Sequence, residues 1–126
     1  MIVFGKDVQF LRTVEAECEI EEICPDKNIE RISELAQGNT KKKFRTMGAF
    51  IRILNEGYEN NKSFTAQMEG KSYDADPISE EMLKHLTTVE FNELFIEAVS
   101  AFIGETPTVE VEEENNQKKS EAETSF

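Results

Sequence analysis

Apolar side chains recur at Phe44, Met47, Phe50, Ile51, Leu54 and Tyr58, in the three- and four-residue steps of an amphipathic helix, with Arg45, Arg52 and Glu56 opposite. The pattern predicts a helix over Lys41–Tyr58. Asn28–Gln37 repeats it on a smaller scale, with Ile29, Ile32, Leu35 and Ala36 inward and Gly38 where a C-terminal cap belongs. Between Thr13 and Cys24 two periods compete. Val14, Ala16, Cys18 and Ile20 alternate with glutamates as a strand would, yet Ala and Glu favour helices. On a helix, Ala16, Ile20, Ile23 and Cys24 share one face, while Leu11, Val14 and Cys18 share another. A helix packed on two sides and stopped by Pro25 is expected.

Asn60–Asp76 is polar and rich in turn formers, so it reads as a surface loop. Asp76-Pro77 then opens a helix that runs to about Leu86. Its inward residues are Ile78, Met82, Leu83 and Leu86, and Glu80 and Glu81 stand beside the positive end of its dipole. Thr87-Thr88-Val89-Glu90 spells a capping box for a last helix through Ile103, closed by Gly104 and Pro107. At the N-terminus, Ile2–Leu11 is expected to hold two short strands around a Gly5-Lys6 turn. The fold class is therefore mainly α: a small bundle of about five helices over residues 1–104. A short N-terminal β-hairpin precedes it, and a disordered acidic tail, residues 105–126, follows.

The last helix carries two apolar stripes. Phe91, Leu94, Phe95, Ala98, Val99 and Phe102 form a wide core face. Val89, Ile96 and Ile103 form a second seam, seven residues apart, on a different side. The pattern favours a helix sandwiched between neighbours. The alternative is a docking seam for another protein, with Val89, Ile96, Ile103 and Phe102 as its contact residues.

Charge sharpens the picture. The 126 residues hold 14 Lys and Arg against 26 Asp and Glu, a net −12. From Glu105 onward, seven acids face two bases, so Met1–Gly104 keeps −7. Such a field repels phosphate and argues against nucleic-acid and anionic-membrane partners. No apolar run approaches the ~20 residues of a membrane span, and Met1–Lys6 does not open a secretory signal. A cytosolic protein is expected, with Cys18 and Cys24 reduced and buried.

No catalytic machinery is apparent. His85 is the single histidine, and Cys18 and Cys24 are six apart, which suits neither a zinc knuckle nor a helical pair. There is no phosphate loop and no nucleophile elbow, and Asp74-Ala75-Asp76 lacks the glycine and terminal glutamate of a calcium loop. The acid pairs read as solvated faces. Neither an enzyme, a metal site nor a cofactor is expected.

The order and spacing of several pieces resemble the tail assembly chaperones of long-tailed phages and prophages of Gram-positive bacteria. A helix ends in Ile23-Cys24-Pro25, a short one ends at Leu35 with Gly38, and a third runs into Leu54-Asn55-Glu56-Gly57-Tyr58. After a polar loop come Leu83–Leu86-Thr87, Glu90-Phe91-Asn92-Glu93-Leu94 and an acidic, lysine-spotted tail. The N-terminal Ile2–Asp7 departs from the pattern. The resemblance implies a protein of the host cytoplasm, absent from the mature virion. It would coat the aggregation-prone tape measure protein while tail tube protein is recruited, the latter mainly through a longer form made by −1 ribosomal slippage. Gln117-Lys118-Lys119 can be encoded CAA-AAA-AAG, which contains a slippery heptamer in the required frame.

Two other classes compete with this reading. The −12 charge fits an acidic DNA mimic that inhibits a nucleic-acid-binding protein, whose binding would collapse steeply with salt. A structural adaptor of a phage particle would be recovered in purified virions.

Overall fold

Helix α2 (Thr40–Met68) is the spine of the molecule, 29 residues long, and α1 (Val14–Ile23), the Ile29–Ala36 segment, α3 (Glu80–Lys84) and α4 (Thr88–Ile103) all rest on it. The computed structural model describes residues 1–104. The tail read as disordered, with Pro107 and the Gln117-Lys118-Lys119 region, lies outside the described residues. In chain order, β1 (Ile2–Val3) and β2 (Lys6–Asp7) form an antiparallel hairpin with Ile2 opposite Asp7 and Val3 opposite Lys6. Helix α1 (Val14–Ile23) follows, then a 3-10 turn (Pro25–Lys27), a 3-10 segment (Ile29–Ala36) and α2. A connecting segment of irregular backbone leads to α3 and α4. The mainly helical class and the small hairpin are as the sequence pattern predicts.

Local signals set most boundaries. Thr13 caps α1, its hydroxyl accepting from the Ala16 amide at 3.0 Å, and Asn39 caps α2 by accepting from Lys42 at 2.9 Å. The hairpin turn falls at Phe4-Gly5 rather than Gly5-Lys6, because both central residues adopt positive φ (50° and 79°), as a tight two-residue turn requires. The segment after Asn28 winds as 3-10 rather than α. Its C-cap is Gln37, with Gly38 just beyond it at φ 106°.

Three expectations need correction. Helix α2 continues ten residues past Tyr58, so Asn60–Met68 is helix, not loop. No proline interrupts that stretch, and the helix gives way only before Gly70, at φ 75°. Second, α3 begins at Glu80 with Ser79 as its cap, not at Asp76-Pro77. Third, α1 packs on one side only. Ala16, Ile20 and Cys24 are buried and Ile23 half-buried, whereas Leu11, Val14 and Cys18 face outward.

The core lies between α2 and the helices laid against it. Ile20, Phe50, Ile51, Leu54, Ile78 and Leu94 are its fully buried bulk. Phenylalanines stitch α2 to α4: Phe44 meets Phe91 edge-on at 5.0 Å, and Phe50 meets Phe95 and Phe102 at 5.5 and 5.6 Å.

A polar seam on α2 fixes the irregular segments. Asn55 is fully buried; its Nδ2 donates to the Gln9 carbonyl at 2.7 Å, and its Oδ1 accepts from the Ile78 amide at 2.6 Å. One turn later, buried Glu59 accepts from the Tyr73 hydroxyl at 2.8 Å and the Asp76 amide at 3.0 Å. These bonds tie up backbone amides just before Ser79 and explain the late start of α3.

The Tyr73 bond has a titration signature. Donation to Glu59, with some burial, pushes the phenol up to about 12 from its ordinary 10.0. The fold therefore holds this proton more tightly than the unfolded chain does. The resulting stability is fully present below pH 10 and is lost as pH rises towards 12. Denaturant unfolding measured across that window is expected to show the loss in the wild type and a flatter profile in Tyr73→Phe, which is already weakened at pH 8.

Candidate functional site

Helix α4 is anchored at both ends. The Thr87 hydroxyl accepts from the Glu90 amide at 3.1 Å while Glu90 Oε1 accepts from the Thr87 amide at 3.1 Å, the reciprocal capping box. Gly104 closes the other end in the left-handed conformation, φ 82°. Between these caps, Phe91, Leu94, Ala98 and Phe102 are buried against the core, and Phe95 and Val99 are half-buried.

The second seam is open. Val89, Ile96 and Ile103 are 65%, 59% and 56% exposed, so α4 is not sandwiched between neighbours along this line. The favoured sequence reading is overturned because, among the described residues, α4 packs chiefly on α2 and leaves this line of side chains exposed. The three residues span about 21 Å at 1.5 Å per residue. Their seven-residue spacing keeps them in one line, since an α-helix drifts only ~20° per heptad. Exposed Asn92 and Glu93 interrupt the line, which makes it a narrow apolar strip with polar borders.

Phe102 does not belong to this strip. It is only 7% exposed. The Arg12 guanidinium lies 3.9 Å over its ring and donates from Nη1 to the Phe102 carbonyl at 2.7 Å. Arg12 thus covers the ring and satisfies a carbonyl at the negative end of α4. Neither contact is local in sequence, but the period of α4 already sets Phe102 on the core face with Phe91, Leu94 and Ala98, apart from exposed Ile103.

Other exposed apolar groups went unnoticed in the sequence. Phe64 and Met68, one turn apart on the last part of α2, are exposed, as are Ile2 and Phe4 on the hairpin. The first pair was hidden by reading Asn60–Asp76 as loop; the helical spacing of Phe64 and Met68 was the available signal.

The chemistry-bearing residues are dispersed. Cys24 is buried, and burial raises its thiol pKa; Cys18 is exposed, contrary to expectation, because it sits on the outer face of α1. Exposed His85 pairs with Glu81 at 2.9 Å, one turn away. Among the described residues, no cluster of three or more His, Cys, Asp or Glu side chains is arranged to hold a metal ion. None of their helices is long and apolar enough to cross a membrane. The chain shows no significant match to any protein-family model, curated protein or solved structure with which it was compared.

Proposed function

We propose that this chain is a phage tail assembly chaperone that binds and solubilises the tape measure protein during tail morphogenesis in the cytoplasm of the bacterial host. The observation that carries the reading is the exposed strip of Val89, Ile96 and Ile103. Three β-branched residues at heptad spacing are what one position of a helix–helix seam requires, and a long helical client offers the complementary seam. The acidic surface supports the same reading: net charge of −12 keeps a protein with open apolar residues from associating with itself. The protein acts by binding rather than catalysis, and tail tube protein is recruited to the same complex, mainly through the frameshifted longer form.

Ile96→Asp tests the surface. Because Ile96 is exposed, the variant is expected to melt with the wild type, within the ~0.5 kcal/mol typical of surface changes. Its affinity for purified tape measure fragments is expected to fall at least tenfold. Unfolding of the variant would show that the seam belongs to the core, and unchanged affinity would place the binding surface elsewhere.

A further inference from the structure

One groove runs against the charge of the molecule. It lies between α2 and the α3–α4 corner, with a volume of about 530 Å³, within the roughly 300–1,000 Å³ range of ligand-binding sites. Phe44, Leu83, Leu86 and Phe91 give it an apolar lining. Lys41, Arg45 and Arg52 follow one another along its α2 wall, Lys84 stands on the α3 wall, and Glu80 is the single lining carboxylate. None of the four cations forms an ion pair with the described residues. The Arg52 Nε is buried and finds no hydrogen-bond acceptor among them. Four cations without a carboxylate partner among the described residues give the groove a positive lining, to which carboxylates are complementary.

We infer that this groove docks a peptide segment of a partner protein that carries carboxylates beside bulky apolar side chains. Charge complementarity selects the carboxylates. The phenylalanine and leucine lining selects the apolar side chains. From Lys41 to Arg52 the cations extend about 16 Å along α2, which matches roughly three turns of helix and exceeds the reach of a single small anion. A polyanion such as nucleic acid is disfavoured by the remainder of the surface. With the groove's net +3 set aside, Met1–Gly104 carries −10. The groove and the α4 strip share no residue, so this surface is independent of the chaperone reading.

The test uses the full chain and a labelled, end-capped synthetic helix with leucines at three- and four-residue spacing and glutamates between them. Fluorescence anisotropy should show saturable binding. An analogue with glutamine for every glutamate should bind at least tenfold more weakly, as should the double variant Arg45→Glu/Lys84→Glu, both sites being exposed. Arg45→Gln/Lys84→Gln, which removes charge without reversing it, should give a smaller loss at an unchanged melting temperature. Ile96→Asp should bind the probe like the wild type, which separates this surface from the α4 strip. Equal binding of the glutamine analogue, or undiminished binding by the charge-reversed variant, would overturn the inference. So would competition by a single-stranded oligonucleotide of matched charge. Displacement of the probe by a peptide of residues 105–126, or a wild-type dimer lost in the charge-reversed variant, would assign the groove to this chain itself and overturn a separate partner.

Discussion

Asn55→Ala is expected to destabilise the fold by about 2–4 kcal/mol, a large share of the ~5–15 kcal/mol that holds a typical domain together. The loss comes less from the two hydrogen bonds than from what they leave behind. The Ile78 amide meets Asn55 at a buried site, where water cannot replace the missing amide, and the Gln9 carbonyl meets it at a part-buried one. The N-terminal segment and the approach to α3 are both released, so hydrogen exchange should rise at both places. Asn55→Asp is expected to do no better: it keeps an acceptor for Ile78 but sets a carboxylate against the Gln9 carbonyl. Urea unfolding followed by circular dichroism measures both. A change below ~0.5 kcal/mol would show that the buried amide does not hold these segments.

Gly57→Ala should reverse the sign that helix propensity predicts. In an exposed helix interior the substitution stabilises by ~1 kcal/mol. Here a Cβ would lie 2.6 Å from the Leu11 carbonyl oxygen, 3.3 Å from Thr13 Oγ1 and 3.4 Å from Ala16 Cβ. The first distance is a clash with backbone, and Leu11 is itself tied to α2, its amide donating to the Leu54 carbonyl at 3.1 Å. Relief must push the start of α1, with its Thr13 cap, away from α2. A net loss of about 1–3 kcal/mol is expected, the usual result of overpacking. A stabilised variant would mean that α1 sits further from α2 than this geometry states.

These two positions also show what was legible in the sequence. The helical period of Phe44–Tyr58 located α2, and the Thr87–Glu90 pair with Gly104 bounded α4 almost to the residue, because caps are local chemistry. The end of α2 was misplaced because Asn60, Asn61, Ser63 and Thr65 look like turn formers. None of them breaks a helix, and the stretch follows many helical turns that have already met the cost of nucleation. The start of α3 was misplaced for the opposite reason: Asn55 and Glu59 bind backbone about 17–23 positions away, and no local pattern shows that. Within the candidate site, spacing identified Val89, Ile96 and Ile103 as a separate seam. Whether a neighbour covers such a seam depends on tertiary packing, as does the shielding of Phe102 by Arg12, 90 residues earlier in the chain. The groove was illegible for the same reason, since Arg45 and Arg52 read as an ordinary solvated helix face until α3 and α4 closed over it.

The proposed function has this protein keep a tape measure protein soluble by contact along α4. It is tested most directly by co-expressing that client with the wild-type chain, with Ile96→Asp, and alone, then measuring the soluble fraction of the client. The client is expected to be largely soluble with the wild type and largely insoluble both alone and with Ile96→Asp. Equal solubility in all three would contradict it.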